Sequence, residues 1–289
     1  MVKFGKGGIK KMLVAIDGSE SGLHALREAF KLAVNEKSWI TVVSVVPPYE
    51  GDLDLVAVGN VQQALRRPCE KALADADAAA KEERALIKTV CEEGVPHERI
   101  IDLAEAENCE LIVMGRTGRS KTERALVGSI TSRVIGYGRK DVLVIPSDAT
   151  VEWKSILLAT DGSKYSSEAT ERAIDFAQAY GGALNILSIV DVPAEFYGEA
   201  PQVVEDLIKK AGTYVESARK QAEARGIGTK VFVREGDTAE VILAVAAEQN
   251  AGLTVMGSHG RTGLKRLLMG SVTEKVIGHS HCPVLVVKE

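Results

Sequence analysis

The chain repeats itself at long range, and the repeat fixes most of what it can become. Lys11–Ser19 matches Ser155–Ser163, Asp17 and Asp161 standing 161 − 17 = 144 apart. Val46 and Val190 keep that offset. Gly94 and Gly236, Gly115 and Gly257, and Val142 and Val284 stand 142 apart instead (257 − 115 = 142). A two-residue difference somewhere between Val46 and Gly94 therefore separates two long, matching halves. This is a duplicated domain; solenoid repeats have periods of about 20–50 residues. The join is expected near Ser147–Glu152, after Pro146, giving domains 1–148 and 149–289. A chain of 289 residues accommodates two domains of ordinary size.

Within each copy, strand and helix patterns alternate. Met12–Ile16 is a continuous apolar run, the pattern of a parallel strand covered on both faces. Ser19–Ala33 reads as a helix, with Leu23, Leu26, Phe30 and Val34 at three- and four-residue spacing. Strands are predicted at Ile40–Val46, Ile87–Cys91, Leu111–Met114 and Val142–Ile145, and helices over a stretch including Ala72–Arg84, at Pro96–Glu107 and at Ile130–Ile135. The second copy repeats the order: Ile156–Thr160, Ser167–Ala179, Leu184–Val190, Pro201–Arg225, Lys230–Arg234, Thr238–Gln249, Leu253–Met256, Val272–Ile277 and Val284–Val287. Such alternation predicts an α/β fold, a parallel sheet with helices on both faces. Right-handed crossovers then bring all strand C-termini to one edge, where open α/β sheets bind ligands.

Two turns in each copy fall on that edge. One is Asp-Gly-Ser, Asp17–Ser19 and Asp161–Ser163. The other is Gly-x-x-Gly, followed after nine residues by Gly-Ser: Gly115 and Gly118 then Gly128-Ser129, and Gly257 and Gly260 then Gly270-Ser271. Glycines after a strand are expected to allow positive φ and to remove β-carbons that would block a phosphate. Ser129 or Ser271 is expected to cap the next helix or offer its hydroxyl. The amides of Ser271 and Val272, or of Ser129 and Ile130, lie at the positive end of that helix. Asp17 and Asp161 are suited to a ribose hydroxyl or, through water, to a magnesium ion. A lone Gly-x-x-Gly is as well explained by an ordinary turn; its recurrence with full spacing favours a nucleotide site. It is neither a Walker A loop nor a Gly-x-Gly-x-x-Gly dinucleotide turn.

Composition excludes other classes. Net charge is −4 and aromatic content 4%, which argues against nucleic acid as a main partner. Cys69, Cys91, Cys109 and Cys282 form no zinc-ligand spacing and are expected to be reduced thiols. No apolar run approaches the ~20 residues of a membrane span, and Met12–Ile16 is too short for a signal-peptide core. The expected location is the cytoplasm. Arg116 and Arg261, within or beside the glycine turns, are the better candidates for neutralising phosphate; Arg119, Lys121, Arg124, Lys265 and Arg266 suit a solvated loop equally well. His279–Cys282 reads as a loop before the last strand, Met114 and Met256 as core, and Asp52, Asp54, Asp75 and Asp77 as surface charges.

The doubled spacing, the Asp-Gly-Ser turns and the closing run Cys282–Val287 resemble the universal stress proteins, specifically the ATP-binding branch (adenine nucleotide alpha hydrolase-like) in tandem form. The resemblance covers nearly the whole chain. It implies two Rossmann-like or flavodoxin-like domains, each a five-stranded parallel sheet in order 3-2-1-4-5. It implies phosphates on Gly257, Gly260, Gly270, Ser271 and Val272, adenine against the backbone near Ile189 and Val190, and Asp161 beside sugar and phosphates. The first copy offers Gly115, Gly118, Gly128, Ser129, Ile130, Val45 and Asp17 for these roles. Its loop lacks a counterpart of Gly263, so the second site is expected to be the stronger. The resemblance also implies an intrachain pseudo-dimer through Val142–Ile145 and Val284–Val287.

Three functions remain open on the sequence. The first is a nucleotide-dependent regulator of the stress response that holds ATP, ADP or AMP with magnesium and hydrolyses it slowly or not at all. No metal is held directly by protein alone, and no catalytic residue is assigned, because no base and lysine clamp recurs in both halves. The second is a weak ATPase or nucleotidyl-transfer enzyme. The third is a nucleotide-free interaction scaffold. A homodimer and a protein partner are compatible with each.

Overall fold

The computed structural model describes residues 9–48, 61–118, 127–260 and 269–288. It divides into two units, Ile9–Ser147 and Asp148–Glu289. The first unit runs β1 (Lys11–Ala15), α1 (Glu20–Glu36), β2 (Trp39–Val46), α2 (Val61–Glu82), β3 (Ile87–Glu93), α3 (Pro96–Ala106), β4 (Leu111–Gly115), α4 (Ser129–Tyr137) and β5 (Asp141–Ile145). Its strands are all parallel and lie in the order β3-β2-β1-β4-β5. The second unit runs β6 (Ser155–Ala159), α5 (Lys164–Tyr180), β7 (Ala183–Val190), α6 (Glu195–Glu199), α7 (Pro201–Glu223), β8 (Thr229–Glu235), α8 (Thr238–Glu248), β9 (Leu253–Gly257), α9 (Ser271–His279) and β10 (Val284–Val287). Its order is β8-β7-β6-β9-β10, again parallel. Both sheets thus have the expected 3-2-1-4-5 order.

Burial explains why the strands read as unbroken apolar runs. Met12, Leu13 and Val14 are fully buried, as are Ile156, Leu157 and Leu158. Each such side chain contributes roughly 1.5–3 kcal/mol relative to exposure. Helices cover both sheet faces: α1 packs on β4 and α2 on β2 and β3, while α3 and α4 pack on one another. The edge strands β3 and β8 are only half-buried, and their sequences mix charged and apolar residues where the central strands are unbroken apolar runs.

Helix ends follow local chemistry. The Ser19 and Ser163 hydroxyls accept from Gly22 N and Ser166 N at the starts of α1 and α5. Lys37 and Gly181, 144 apart, end those helices in the left-handed region. Two sequence readings need correction. Helix α2 is described over Val61–Glu82, runs through Pro68 and stops at Glu82, so Arg84 lies outside it with φ 54°. The short helix α6 has no counterpart in the sequence reading. Arg84 and Gly226 are both left-handed and stand 226 − 84 = 142 apart, and α2 and α7 run unbroken toward them, so the 142 offset holds along α2 and the length difference falls between Val46 and Val61. Met114 and Met256 are core residues, each 5% exposed. Asp52 and Asp54 lie outside the described residues.

Candidate functional site

Strands β1 and β4 are neighbours whose chains leave the sheet in opposite directions, opening a crevice at their C-terminal ends. Asp17-Gly18-Ser19 enters it from β1. Gly18 takes φ 78°, and Asp17 Oδ1 accepts from Ser19 N at 3.0 Å. This aims the other carboxylate oxygen at the second turn: a β-carbon on Gly118 would lie 2.5 Å from Asp17 Oδ2. The second copy builds the same contact. Asp161 Oδ1 accepts from Ser163 N at 3.0 Å, and a β-carbon on Gly260 would lie 3.0 Å from Asp161 Oδ2.

A pair of threonines that sequence reasoning missed ties the next helix to the strand end. Thr131 Oγ1 donates to Gly115 O at 3.1 Å, and Thr273 Oγ1 to Gly257 O at 3.4 Å. Gly128 N donates to Arg116 O at 2.9 Å and Gly270 N to Ser258 O at 3.4 Å. The signal was present as Gly-Ser-x-Thr in both copies.

Two expectations about the glycines and serines are corrected. None of Gly115, Gly118, Gly128, Gly257, Gly260 and Gly270 has positive φ. Close approach instead accounts for Gly115, Gly118 and Gly257. A β-carbon at Gly115 would meet Ser21 Oγ at 2.4 Å, and one at Gly257 would meet Tyr165 Cβ at 2.8 Å. Nor do the serines cap: Gly128 and Gly270 are the N-caps, and Ser129 and Ser271 are the first helical residues. They stand at the N-terminal ends of α4 and α9, where the helix dipole favours an anion, and Ser129 lines the first-copy cavity.

In the first copy these parts surround one cavity of about 440 Å³. Asp17, Val45, Gly115, Gly118, Gly128, Ser129 and Ile130, the seven residues singled out from sequence, all line it. One end is polar, built from the glycine turn, Asp17 and the start of α4. The other is apolar, with Pro47, Leu65, Pro68, Cys69 and Ile100 around the backbone of Val43–Val45. Arg116 does not line the cavity.

The second copy carries rings where the first has small side chains. Tyr214 corresponds to Ala72 (214 − 142 = 72), Tyr165 to Ser21 (165 − 144 = 21) and His259 to Thr117 (259 − 142 = 117). The Tyr214 ring lies directly on Gly162: a β-carbon there would be 2.2 Å from Cε1. Tyr165 and His259 pair with ring centroids 5.4 Å apart, and His259 Nδ1 lies 3.2 Å from Ser258 Oγ. Gly260 approaches Asp161, Gly270 lies against Ser258, and Ser271 and Val272 open α9, while Ile189 and Val190 end β7 opposite Arg234 and Glu235 of β8. Arg261 and the loop containing Gly263 lie outside the described residues.

Residues 8–146 and 152–288 each match the universal stress protein family. The chain belongs to the universal stress protein family. Universal stress protein MJ0531 of Methanocaldococcus jannaschii is 39% identical over 144 residues, covering 47% of this chain and 83% of that protein. A universal stress protein of Mycolicibacterium smegmatis is 26% identical over 290 residues and covers 96% of both chains. The crystal structure of a universal stress protein from Archaeoglobus fulgidus is similar in fold over 96% of both chains, with a TM-score of 0.73 and 24% identity. Tandem arrangement is thus shared along the full length.

One feature of this universal stress protein departs from the reading of its cysteines as four thiols. Cys69 on α2 and Cys91 on β3 form a disulfide. Only Cys109 and Cys282 are free, and both are buried. Burial pushes the Cys109 thiol up to about 11, with the neighbouring Glu107 carboxylate adding to the shift. His279 ends α9 with its Nδ1 at 2.9 Å from Lys275 O, a structural role. No described helix is long and apolar enough to cross a membrane.

Proposed function

We propose that this universal stress protein is a cytoplasmic regulator that binds an adenine nucleotide, ATP with ADP and AMP as alternatives, together with magnesium. The observation that carries the reading is the single cavity onto which Asp17, the glycine turn, the α4 N-terminus and the end of β2 converge. Its two ends suit the two halves of a nucleotide. Bare amides and a helix N-terminus favour phosphate, and the apolar end beside Val45 favours a base whose edge meets strand backbone. The first crevice carries the reading because its cavity lining is the one on which the named residues meet. In the second, the Tyr214 ring covers the Asp-Gly-Ser turn.

The magnesium fit is a limited one. Among the described residues no group of three or more His, Cys, Asp or Glu side chains could hold a metal alone. Asp17 places one carboxylate at the polar end, which suits an ion carried in by phosphate oxygens and completed by water. Bound there, the ion would neutralise phosphate charge. The protein's own contribution is to hold the phosphates with amides, orient the base and shield the site.

Slow or absent hydrolysis is our reading because no base and lysine clamp recurs in both halves of the sequence. Among the described residues the cavity lining holds one carboxylate and no lysine, arginine or histidine. Phosphoryl transfer needs a positioned nucleophile and strong charge stabilisation of the transferring group. The output is therefore a change of conformation or assembly read by a protein partner. Mass spectrometry of the freshly purified, denatured protein tests the reading, with calorimetry using ATP, ADP and AMP. Co-purifying nucleotide, or binding with magnesium-dependent affinity, is expected. Absence of both sinks it and favours the scaffold reading.

A further inference from the structure

Cys69 and Cys91 have Cα atoms 6.3 Å apart on adjacent elements, α2 and β3. That separation lies within the ~4.4–6.8 Å a disulfide spans without moving the backbone. Cys69 is 3% exposed and lines the cavity on the same helix face as Leu65 and Pro68. Cys91 is half-buried and sits opposite Ser44 in the β2–β3 ladder, and Ser44 lines the same cavity. The bond therefore ties the helix that walls the apolar end to the strand beside the cavity floor. The second copy has neither cysteine: Ala211 (211 − 69 = 142) and Val233 (233 − 91 = 142) occupy the two positions.

We propose that Cys69 and Cys91 are a reversible thiol–disulfide site that sets the nucleotide affinity of the first crevice, a control absent from the second. The proposal rests on the nucleotide reading of that cavity. A low-molecular-weight disulfide of the glutathione class is the oxidant. Cys91, the more exposed sulfur, loses its proton and attacks one glutathione sulfur, releasing one glutathione thiolate and leaving a mixed disulfide. Cys69, deprotonated in turn, attacks the Cys91 sulfur and releases the second glutathione. Two protein thiols lose two protons and two electrons, and one glutathione disulfide becomes two glutathiones. Cys109 does not compete, because its raised pKa keeps it a thiol at neutral pH.

The direction follows from geometry. With the bond closed, α2 is held against β3 and the apolar wall is fixed in the form that encloses the cavity, so less ordering remains for the ligand to impose. With it open, the wall at Leu65 and Pro68 is held by packing alone. Oxidation is expected to lower the first-crevice Kd for ATP by at least about threefold. By linkage, ATP must then shift the glutathione equilibrium of the pair toward the disulfide by the same factor.

The full chain, equilibrated in reduced or oxidised glutathione, provides the test. Alkylation after acid quench and denaturation, with peptide mass spectrometry, reads the thiols; calorimetry with ATP and magnesium reads affinity, with Gly270→Val used to silence the second crevice. Protection of Cys69 and Cys91 but not of Cys109 or Cys282, with tighter binding in the oxidised form, is the expected result. Cys69→Ser and Cys91→Ser should each abolish the difference. Alkylation of both cysteines after oxidation, or equal Kd in the two states, overturns the proposal while leaving the nucleotide reading intact. No binding in either state, with the disulfide present, overturns the nucleotide reading and this coupling with it. If Gly270→Val does not fold, the dependence of disulfide fraction on ATP in the unmodified chain decides: no dependence overturns the coupling.

Discussion

The Asp17 carboxylate occupies the space a side chain at position 118 would need: a β-carbon on Gly118 would come within 2.5 Å of Oδ2. The glycine is there to admit the aspartate to the crevice, while its backbone φ is ordinary. Gly118→Ala must therefore push the carboxylate aside or shift the turn. The expected effect is a rise of about tenfold or more in the Kd for magnesium nucleotide at the first site, about 1.4 kcal/mol. Gly260→Ala, where the approach is 3.0 Å, should cost its own site less. Titration calorimetry of the two variants checks the ranking; equal losses would break the link between affinity and carboxylate position.

The Gly162–Tyr214 contact makes a second prediction, about stability. Gly162 has φ 73° and the tyrosine ring on its open side. Alanine there meets two penalties: about 1 kcal/mol or more for the left-handed backbone, and a clash with an aromatic side chain. Gly162→Ala is expected to destabilise by about 2–4 kcal/mol. Adding Tyr214→Ala removes the clash and should recover part of that loss, so the two changes will be non-additive by more than about 0.5 kcal/mol. Chemical denaturation of the four proteins in this cycle measures the coupling, and simple additivity would show that the ring does not restrict the turn.

Glu107 anchors the opposite end of the first sheet. It accepts from Thr41 Oγ1 at 2.6 Å and pairs with Lys88, while its carbonyl accepts from Lys11 Nζ at 3.1 Å. The Lys88 bond, then the Thr41 bond, hold its carboxyl below the ordinary value of 4.5. A depressed folded pKa contributes stability that is present above the unfolded value and lost as pH falls through the folded one. Glu107→Gln should therefore cost about 1 kcal/mol at pH 7, and the gap to the unsubstituted protein should close below pH 4 to 5. The second copy carries Gln249 at this place, bonded to Lys230 at 3.4 Å, so the amide is sterically acceptable. Urea midpoints across pH 3–7 give the measurement; a gap that persists at pH 3 would mean the loss is not electrostatic.

How much of this was legible in the sequence depended on what each residue's neighbours were. Two-sided burial makes β1 and β4 unbroken apolar runs, so Met12–Val14 and Ile112–Val113 announced their strands. The duplication then let each copy check the other, and the spacing from Gly115 to Ser129 located the crevice. Local pattern could not say why Gly118 is glycine, because the reason is Asp17, brought alongside only by strand order. The same holds for Cys69 and Cys91, separated by 22 residues and joined only once α2 lies on β3. Tyr214 was invisible for the opposite reason: it sits in a long amphipathic helix, where one more half-buried aromatic carries no signal of the turn beneath it.

Cys109 supplies a test at the alkaline end. It precedes β4 with no exposed surface, and burial first, then Glu107, pushes its thiol from the ordinary 9.0 to about 11. A raised folded pKa means that the folded state binds the proton more tightly. Stability from this group is complete below the unfolded value near 9 and is lost as pH rises toward 11. Two units correspond to roughly 2–3 kcal/mol as an order of magnitude. Cys109→Ala has nothing to ionise there. The variant is expected to be less stable than the unsubstituted protein at pH 7, by about 1 kcal/mol for the lost sulfur contacts, and to lose less on going to pH 11. The two stability curves should therefore converge or cross between pH 9 and 11. Denaturant midpoints at pH 7, 9, 10 and 11, under reducing conditions that keep every thiol titratable, record the convergence. Parallel curves would show that the thiolate is accommodated in the fold and that burial does not set its titration.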